Sequence, residues 1–390
     1  MNREEFKREL TDHIIPFWNK LRDDENGGFT GFMDSALNID KNGEKGVILH
    51  SRILWFYSNA YLVLKDADLL KYAEHAYKFL SEKCWDKEYG GVYWSMNADG
   101  TVKDDMKHIY CQAFFVYAMS SYYRASGNKD ALKFAYDAVD LIEKHGTDDV
   151  AYLEKISRDW TTVLANDELS ENGLMADKTM NTTLHLMEAY TELYLADKND
   201  RVLDRLKFQL DVTYDKIFDA DNDKLLVFFD KQLNVIGDVY SYGHDIEATW
   251  LIDRACDVIG DKEYAAKFSD MNKRIVRRIA DVAFHKESGS LLNESDKGIV
   301  NTWRIWWVQA EAIVGFTNGW QRTGNEEYKA IASSIWEYTK NNLIDKREGG
   351  EWHSQLDENG DYAKFKPVVD PWKCPYHNGR MCLELYTRLS

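Results

Sequence analysis

One pattern recurs six times along the 390 residues, and it constrains the fold more than any single motif. A charged amphipathic helix leads through a short Gly-containing turn into a second helix. The openings of those second helices carry aromatic and ring-bearing polar residues. They read SRILWFYSNAY from Ser51, HIYCQAFFVYA from His108 and NTTLHLMEAY from Asn181. They continue as SYGHDIEATW from Ser241, WRIWWVQAEA from Trp303 and YHNGRMCLEL from Tyr376. The first helices show 3.6-residue periodicity with Lys, Arg, Asp and Glu on one side, as a solvent-facing layer requires. The second helices, such as ILWFYSNAYLVL and CQAFFVYAMSSYY, are apolar almost all round, so both of their sides must be buried.

Six buried helices inside six polar ones predict an all-α (α/α)6 barrel. A solenoid of stacked pairs is the structural alternative. Ring closure suits the last helix, which is apolar and rich in functional side chains up to Ser390. Closure would bring all six openings to one mouth. A single core stops growing at about 250–300 residues, but stacked repeats escape that limit. Only four prolines occur and no Ser-, Gly- or Pro-rich linker divides the chain, so residues 1–390 read as one domain. Alternating residues between Gly and Asn/Asp-Gly predict small β-hairpins at 25–34, 88–100 and 347–360, with weaker copies at 221–237 and 287–298. The third copy, around 148–173, is longer and less regular.

A net charge of −17 without a basic block argues against nucleic acid and against anionic membranes, both of which bind through Lys and Arg. The start, MNREEFKREL, lacks the apolar core of a signal peptide, and no apolar run approaches the roughly 18 residues of a membrane span. Five cysteines without CxxC spacing read as reduced packing residues of a cytoplasmic protein.

The polar residues of the openings carry the chemistry. His244 and Glu247 are spaced i, i+3, as are His377 and Arg380; Asn181 and His185 are i, i+4. One buried His is ordinarily a hydrogen-bonded core residue. Three at equivalent helix openings point to a shared site. Neither HExxH nor clustered Cys/His spacing is present, so no metal is expected. Two His near neutral pKa can exchange the roles of acid and base, and a helix opening favours their neutral form. Glu247 either orients His244 or holds a substrate hydroxyl. Arg52, opening an apolar helix, needs an anionic partner, either a carboxylate of the fold or a transient oxyanion. Trp303, Trp306 and Trp307 open the fifth second-helix, and Trp372 lies in the loop before the sixth. Aromatic faces at a polar mouth suit the C–H face of a sugar. Pro367, Pro371 and Pro375 stiffen that loop just before His377.

At these residues the chain resembles the cellobiose 2-epimerases of the N-acylglucosamine 2-epimerase superfamily. The likeness spans nearly the whole length. It is carried by ILHSRILWFYSNAY, SENGLMADKTMN, SYGHDIEATWL, WWVQAEAIVGF and PWKCPYHNGRMCLEL. The resemblance implies an (α/α)6 barrel that needs no metal or organic cofactor and acts on a small disaccharide. It implies His244 and His377 as the acid/base pair, with Arg52, Tyr110, Asn181, His185 and Glu247 contacting the reducing-end sugar. Trp306 or Trp307, together with Trp372, matches the aromatic residues around that sugar, and Asp177 and Glu294 lie in matching regions. The expected reaction exchanges the C2 proton of a ring-opened aldose through an enediolate. Other readings are a mannobiose or N-acylglucosamine epimerase, an aldose–ketose isomerase, a glycoside hydrolase working with two carboxylates, and a non-catalytic glycan-binding barrel.

Overall fold

The computed structural model describes residues 1–148, 150–166, 168–169 and 173–389. Residues 170–172 of the SENGLMADKTMN stretch and the terminal Ser390 lie outside the described residues, as do Asp149 and Asp167. Six inner helices run Val47–Leu64, Ile109–Ser126, Met180–Ala196, Tyr242–Ile259, Trp306–Thr323 and His377–Arg388. The outer layer consists of Arg3–Arg8 continued to Asn19, then Ala67–Phe79, Lys129–His145, Asp200–Val212, Lys262–Val282 and Glu326–Tyr338. Each inner helix packs on the next, and the sixth packs on the first. The ring is therefore closed, and the fold is an (α/α)6 barrel.

Burial follows the composition of each layer. The first inner helix buries everything from Val47 to Ser58, whereas the outer helix Lys129–His145 buries only Ala131, Ala135, Ala138, Val139 and Ile142. Gly127, Gly260 and Gly324 end three inner helices in the left-handed conformation that glycine adopts without strain. The third inner helix ends differently, at Asp197 in the extended conformation.

The predicted hairpins appear as very short strands, but their pairing differs from expectation. Phe218–Asp219 with Lys224–Leu225, and Phe284–His285 with Ser290–Leu291, close on themselves. Elsewhere the strand leading into an inner helix pairs with the hairpin of the following repeat. Lys45–Gly46 pairs with Ser95–Met96, Lys107–His108 with Lys155–Ile156, and Lys178–Thr179 with Phe228–Phe229. Val239–Ser241 pairs with Glu294–Asp296, and Arg304–Ile305 with Gln355–Leu356. A bridge between Met33 and Val369 completes this belt. Backbone groups just outside the helix ends would otherwise be buried unpaired, and the belt satisfies them.

The fourth residue of four inner helices fastens the belt to the ring. His50 accepts from the Phe29 N–H at 2.9 Å and donates through Nδ1 to the Gly46 carbonyl at 2.8 Å. Gln112 bonds both backbone groups of Val92, and Gln309 both of Leu291, all at 2.8 Å. Asp245 accepts from Leu225. His50 is thus a structural residue. The segment before His377 is held as its three prolines suggested. Asp370 accepts from the backbone of Trp372 and Lys373, and Pro371 packs so tightly on Gly46 that a Cβ there would come within 2.7 Å of it.

Candidate functional site

The openings of the inner helices surround a cavity of about 280 Å³. Arg52, Tyr110, Asn181, His185, His244, Glu294, Trp306, Trp307, Trp372 and His377 all line it. The sixfold repeat gives them a common register. Second positions of inner helices supply Tyr110, Asn181 and Trp307; sixth positions supply Arg52, His185, Glu247 and Glu311. Residues i and i+4 share a face, so these two rungs look into the ring one turn apart.

Three residues lie elsewhere than the sequence suggests. Glu247 does not line the cavity; it is fully buried on the sixth-position rung, one turn further in. It does not orient His244 either, because its carboxylate is bonded to Arg380. Asp177 also stands off the cavity wall. It precedes the Lys178–Thr179 strand, where its N–H is paired with the Phe229 carbonyl, and the cavity is reached only by Asn181 and His185 beyond it. Trp303 does not open a helix. It lies before the Arg304–Ile305 strand, edge-on to the exposed ring of Phe365.

Trp306 and Trp307 both face the cavity, and Trp307 is the one flanked by imidazoles. Its ring centroid is 4.7 Å from that of His244 and 5.5 Å from that of His377. The second position of the fourth inner helix is Gly243, and a Cβ there would come within 2.5 Å of the Trp307 ring. Glycine is required at this point to let the indole in. Trp372 packs on Tyr110 and Trp94, and its carbonyl accepts from Arg52.

Both histidines are held through Nδ1. Ser241 Oγ lies 2.7 Å from His244 Nδ1, and Glu311 Oε1 lies 2.7 Å from His377 Nδ1. Burial lowers the pKa of His244 to about 3 and that of His377 well below the usual value, the latter helped by Arg52 and Arg380. Both rings are therefore neutral at pH 7, and burial is the leading cause. His185 is also pushed down by burial and donates to Glu188 at 2.9 Å.

Arg52 has no carboxylate partner among the described residues. Its guanidinium donates to Tyr110 Oη at 2.8 Å and lies over the rings of Phe114 and Tyr376, at 4.2 and 4.8 Å. Burial works against its charge, yet the pKa stays raised and the guanidinium remains protonated. A buried, uncompensated cation at the cavity wall is placed to receive a developing anion.

Beneath the cavity Arg380 is enclosed by Glu188, Glu247 and Glu311. Glu311 also accepts from Trp250 at 3.0 Å, and Tyr376 donates to Glu188. Burial opposes the charge of Glu188, but Arg380, His185 and Tyr376 outweigh it and lower its pKa. Burial raises Glu247 and Glu311, and repulsion from Glu311 drives Glu247 further up. Among the described residues Glu247 Oε2 has no hydrogen-bond partner, so Glu247 is the member least able to hold a charge. The cluster then carries two carboxylates against one guanidinium, a net −1 beside His377. Ligand-type atoms of Glu247, Glu311 and His377 lie within 4.8 Å of one another, as a divalent cation would need. Arg380, bonded to both carboxylates, already provides the positive charge there.

The N-acylglucosamine 2-epimerase (GlcNAc 2-epimerase) family model matches residues 27–378. The chain belongs to the N-acylglucosamine 2-epimerase family. It is 56% identical over 384 residues, 98% of each chain, to a cellobiose 2-epimerase of Ruminococcus albus. The crystal structure of a sugar epimerase from a ruminal bacterium superposes with a TM-score of 0.97 at 55% identity, covering 99% of this chain and 98% of that one. The cellobiose 2-epimerase of Bacillus thermoamylovorans B4167 gives 0.96 at 44% identity, with 99% of both chains covered. Like these relatives, this member of the family is an enzyme. No helix among its described residues is long and apolar enough to cross a membrane.

Ser241, Glu311, Glu188 and Tyr376 escaped the sequence reading. Glu311 was within reach, because it shares the sixth-position register with Arg52, His185 and Glu247. Glu188 follows His185 at i+3. The irregular third repeat supplies Glu168 and Leu169 to the wall, which periodicity has no means of indicating.

Proposed function

We propose that the protein is a cellobiose 2-epimerase. It reversibly converts the reducing-end glucose of cellobiose, and of related β-1,4-linked disaccharides such as lactose or mannobiose, into mannose. The supporting observation is the pair of neutral imidazoles, His244 and His377, beside one indole in a cavity that also holds the unpaired charge of Arg52. The high identity to cellobiose 2-epimerases supports the choice of substrate.

In this reading the sugar ring opens to the aldehyde, whose C2 proton is acidic because charge can spread onto O1. A neutral imidazole takes that proton. Arg52 and His185 stabilise the O1 charge, and the loss of one such contact costs about 3–4 kcal/mol in other enzymes. Rotation about C2–C3 presents the opposite face, and the second imidazole returns a proton there. Tyr110, Asn181, Glu294, Trp306, Trp307 and Trp372 hold the sugar. All of this lies within one catalytic domain, residues 1–390. The five buried, unpaired cysteines support a cytoplasmic setting.

The test is incubation with cellobiose in D2O, followed by NMR of the products. The expected product is a glucosyl–mannose with deuterium at C2, abolished in folded His244→Ala and His377→Ala variants. Ketose as the main product would instead identify an aldose–ketose isomerase, and released monosaccharide a hydrolase. Full activity in either His variant would overturn the acid/base assignment.

A further inference from the structure

The two imidazoles are supported by different chemistry. Behind His377 stands Glu311, a carboxylate that can only accept. Its bond fixes the proton on Nδ1, leaves the Nε2 lone pair toward the cavity and stabilises the imidazolium once it forms. Behind His244 stands Ser241, a neutral hydroxyl.

Ser241 occupies the N-cap position of the helix Tyr242–Ile259. Serine there ordinarily accepts from a backbone N–H of the first turn, and this interaction is among the strongest local preferences of the residue. Ser241 makes no such bond. Its Oγ turns to the ring of the third helical residue, His244. At two other inner helices the N-cap side chain does cap, with Thr179 accepting from Thr182 and His108 from Tyr110. The strand Val239–Ser241 pairs Ser241 with Glu294 and holds the serine on the cavity wall. A forgone cap at a rigid position is the kind of local rule that breaks at functional sites.

We infer that Ser241 is a positioning residue that acts through His244: its Oγ accepts from the Nδ1–H and aims Nε2 into the cavity without placing a charge behind the ring. This rests on the epimerase reading above. In one direction His377 Nε2 takes the C2 proton, and the C–H electron pair moves into C1–C2 as the carbonyl pair moves onto O1. His244, protonated from solvent, then gives its Nε2 proton to C2. The enediolate pair returns to form the C–H bond, His244 ends neutral and His377 releases its proton to solvent. A carboxylate behind His244 would hold that proton more tightly, whereas the hydroxyl lets it go.

The experiment has two readouts. The first needs no turnover. Ring 15N shifts of His244, assigned by their loss in H244Q, should report an Nδ1–H tautomer in the wild type. In S241A they should report the Nε2–H tautomer favoured by free imidazole, and S241T should restore the wild-type form. The second readout is the deuterium at C2 in recovered cellobiose relative to product in D2O. S241A should slow proton return on the His244 side alone, by about tenfold for one neutral hydrogen bond, and so shift that ratio. A purely structural role would lower both deuterium pools together and leave the ratio unchanged, which overturns the inference. An unaltered His244 tautomer in S241A overturns it as well. If the wild type places no deuterium at C2 of any disaccharide, the epimerase reading fails, and the tautomer result still decides whether Ser241 positions the ring.

Discussion

Replacing Glu311 by Gln tests the electrostatic support of His377 most directly. Glu311 Oε1 accepts from His377 Nδ1 and from Arg380, both at 2.7 Å, while Oε2 accepts from Trp250 at 3.0 Å. All three partners are donors, so a glutamine amide must turn its NH2 toward one side. Facing Trp250, it forfeits one neutral bond. Facing His377 and Arg380, it forfeits two, one of them to a cation. The first orientation wins, and the Nδ1–H tautomer of His377 survives. In the serine-protease triad, by contrast, the corresponding Asp→Asn change leaves the wrong tautomer and costs about 10⁴ in kcat. What remains lost here is the negative charge facing the imidazolium. A hydrogen bond to a charged group is worth about 1.5–3 kcal/mol, or roughly 10- to 150-fold in rate. E311Q should therefore lower kcat by that factor with KM nearly unchanged. Its Tm should not fall, because Glu188 still pairs with Arg380 and the cluster loses its excess negative charge. E311L, which also loses the acceptor, should be far slower. Steady-state kinetics on cellobiose with parallel melting curves provide the check. A folded E311Q with a loss near 10⁴ would mean that the amide flips and the tautomer argument is wrong. A loss below about twofold would remove the carboxylate from the mechanism.

Gly243→Ala forces a methyl into the Trp307 ring, and overpacking of this kind costs about 1–3 kcal/mol; a lower Tm and a lower kcat/KM should appear together. Arg52→Lys keeps a charge but loses the fork that reaches both Tyr110 and the Trp372 carbonyl, so kcat should drop by at least about tenfold in the same assay. Burial raises the pKa of Glu154 to about 8, so its neutral form is what folding favours, and stability is lost as pH rises from 4.5 toward 8. E154Q should melt with the wild type at pH 4 and above it at pH 8. Burial lowers His50 to about 4, so its contribution is complete above pH 6.5 and declines as pH falls toward 4, by on the order of 3 kcal/mol; urea melts across that range measure it.

The fold was legible because its period is long and its two helix types differ in composition. All-round apolar helices have nowhere to go but between two layers. The site was legible where it used rings and charges at helix openings, and Arg52, His185, His244 and His377 stood out for that reason. The depth of Glu247 was hidden, because i, i+3 spacing with His244 shows a shared face but not which of the two lies deeper along it. Ser241 was invisible because a serine before a helix is expected to cap it, and only the folded arrangement shows that it does not. The belt pairing was hidden as well, since two-residue strands leave no alternation to read.

The seam of the ring has a consequence for assembly. Most contacts join adjacent repeats, but one boundary joins the two ends of the described chain. Trp336 donates to Glu5, Trp352 to Glu9, and His13 bonds to the Gly350 carbonyl. The helix starting at His377 is pressed between this N-terminal segment and the first inner helix. Five repeats can form as the chain is synthesised, yet the cavity stays incomplete until the helix starting at His377 meets the first inner helix. Closure of the seam thus completes the cavity, and amides along this seam should be among the first to exchange when the native state opens.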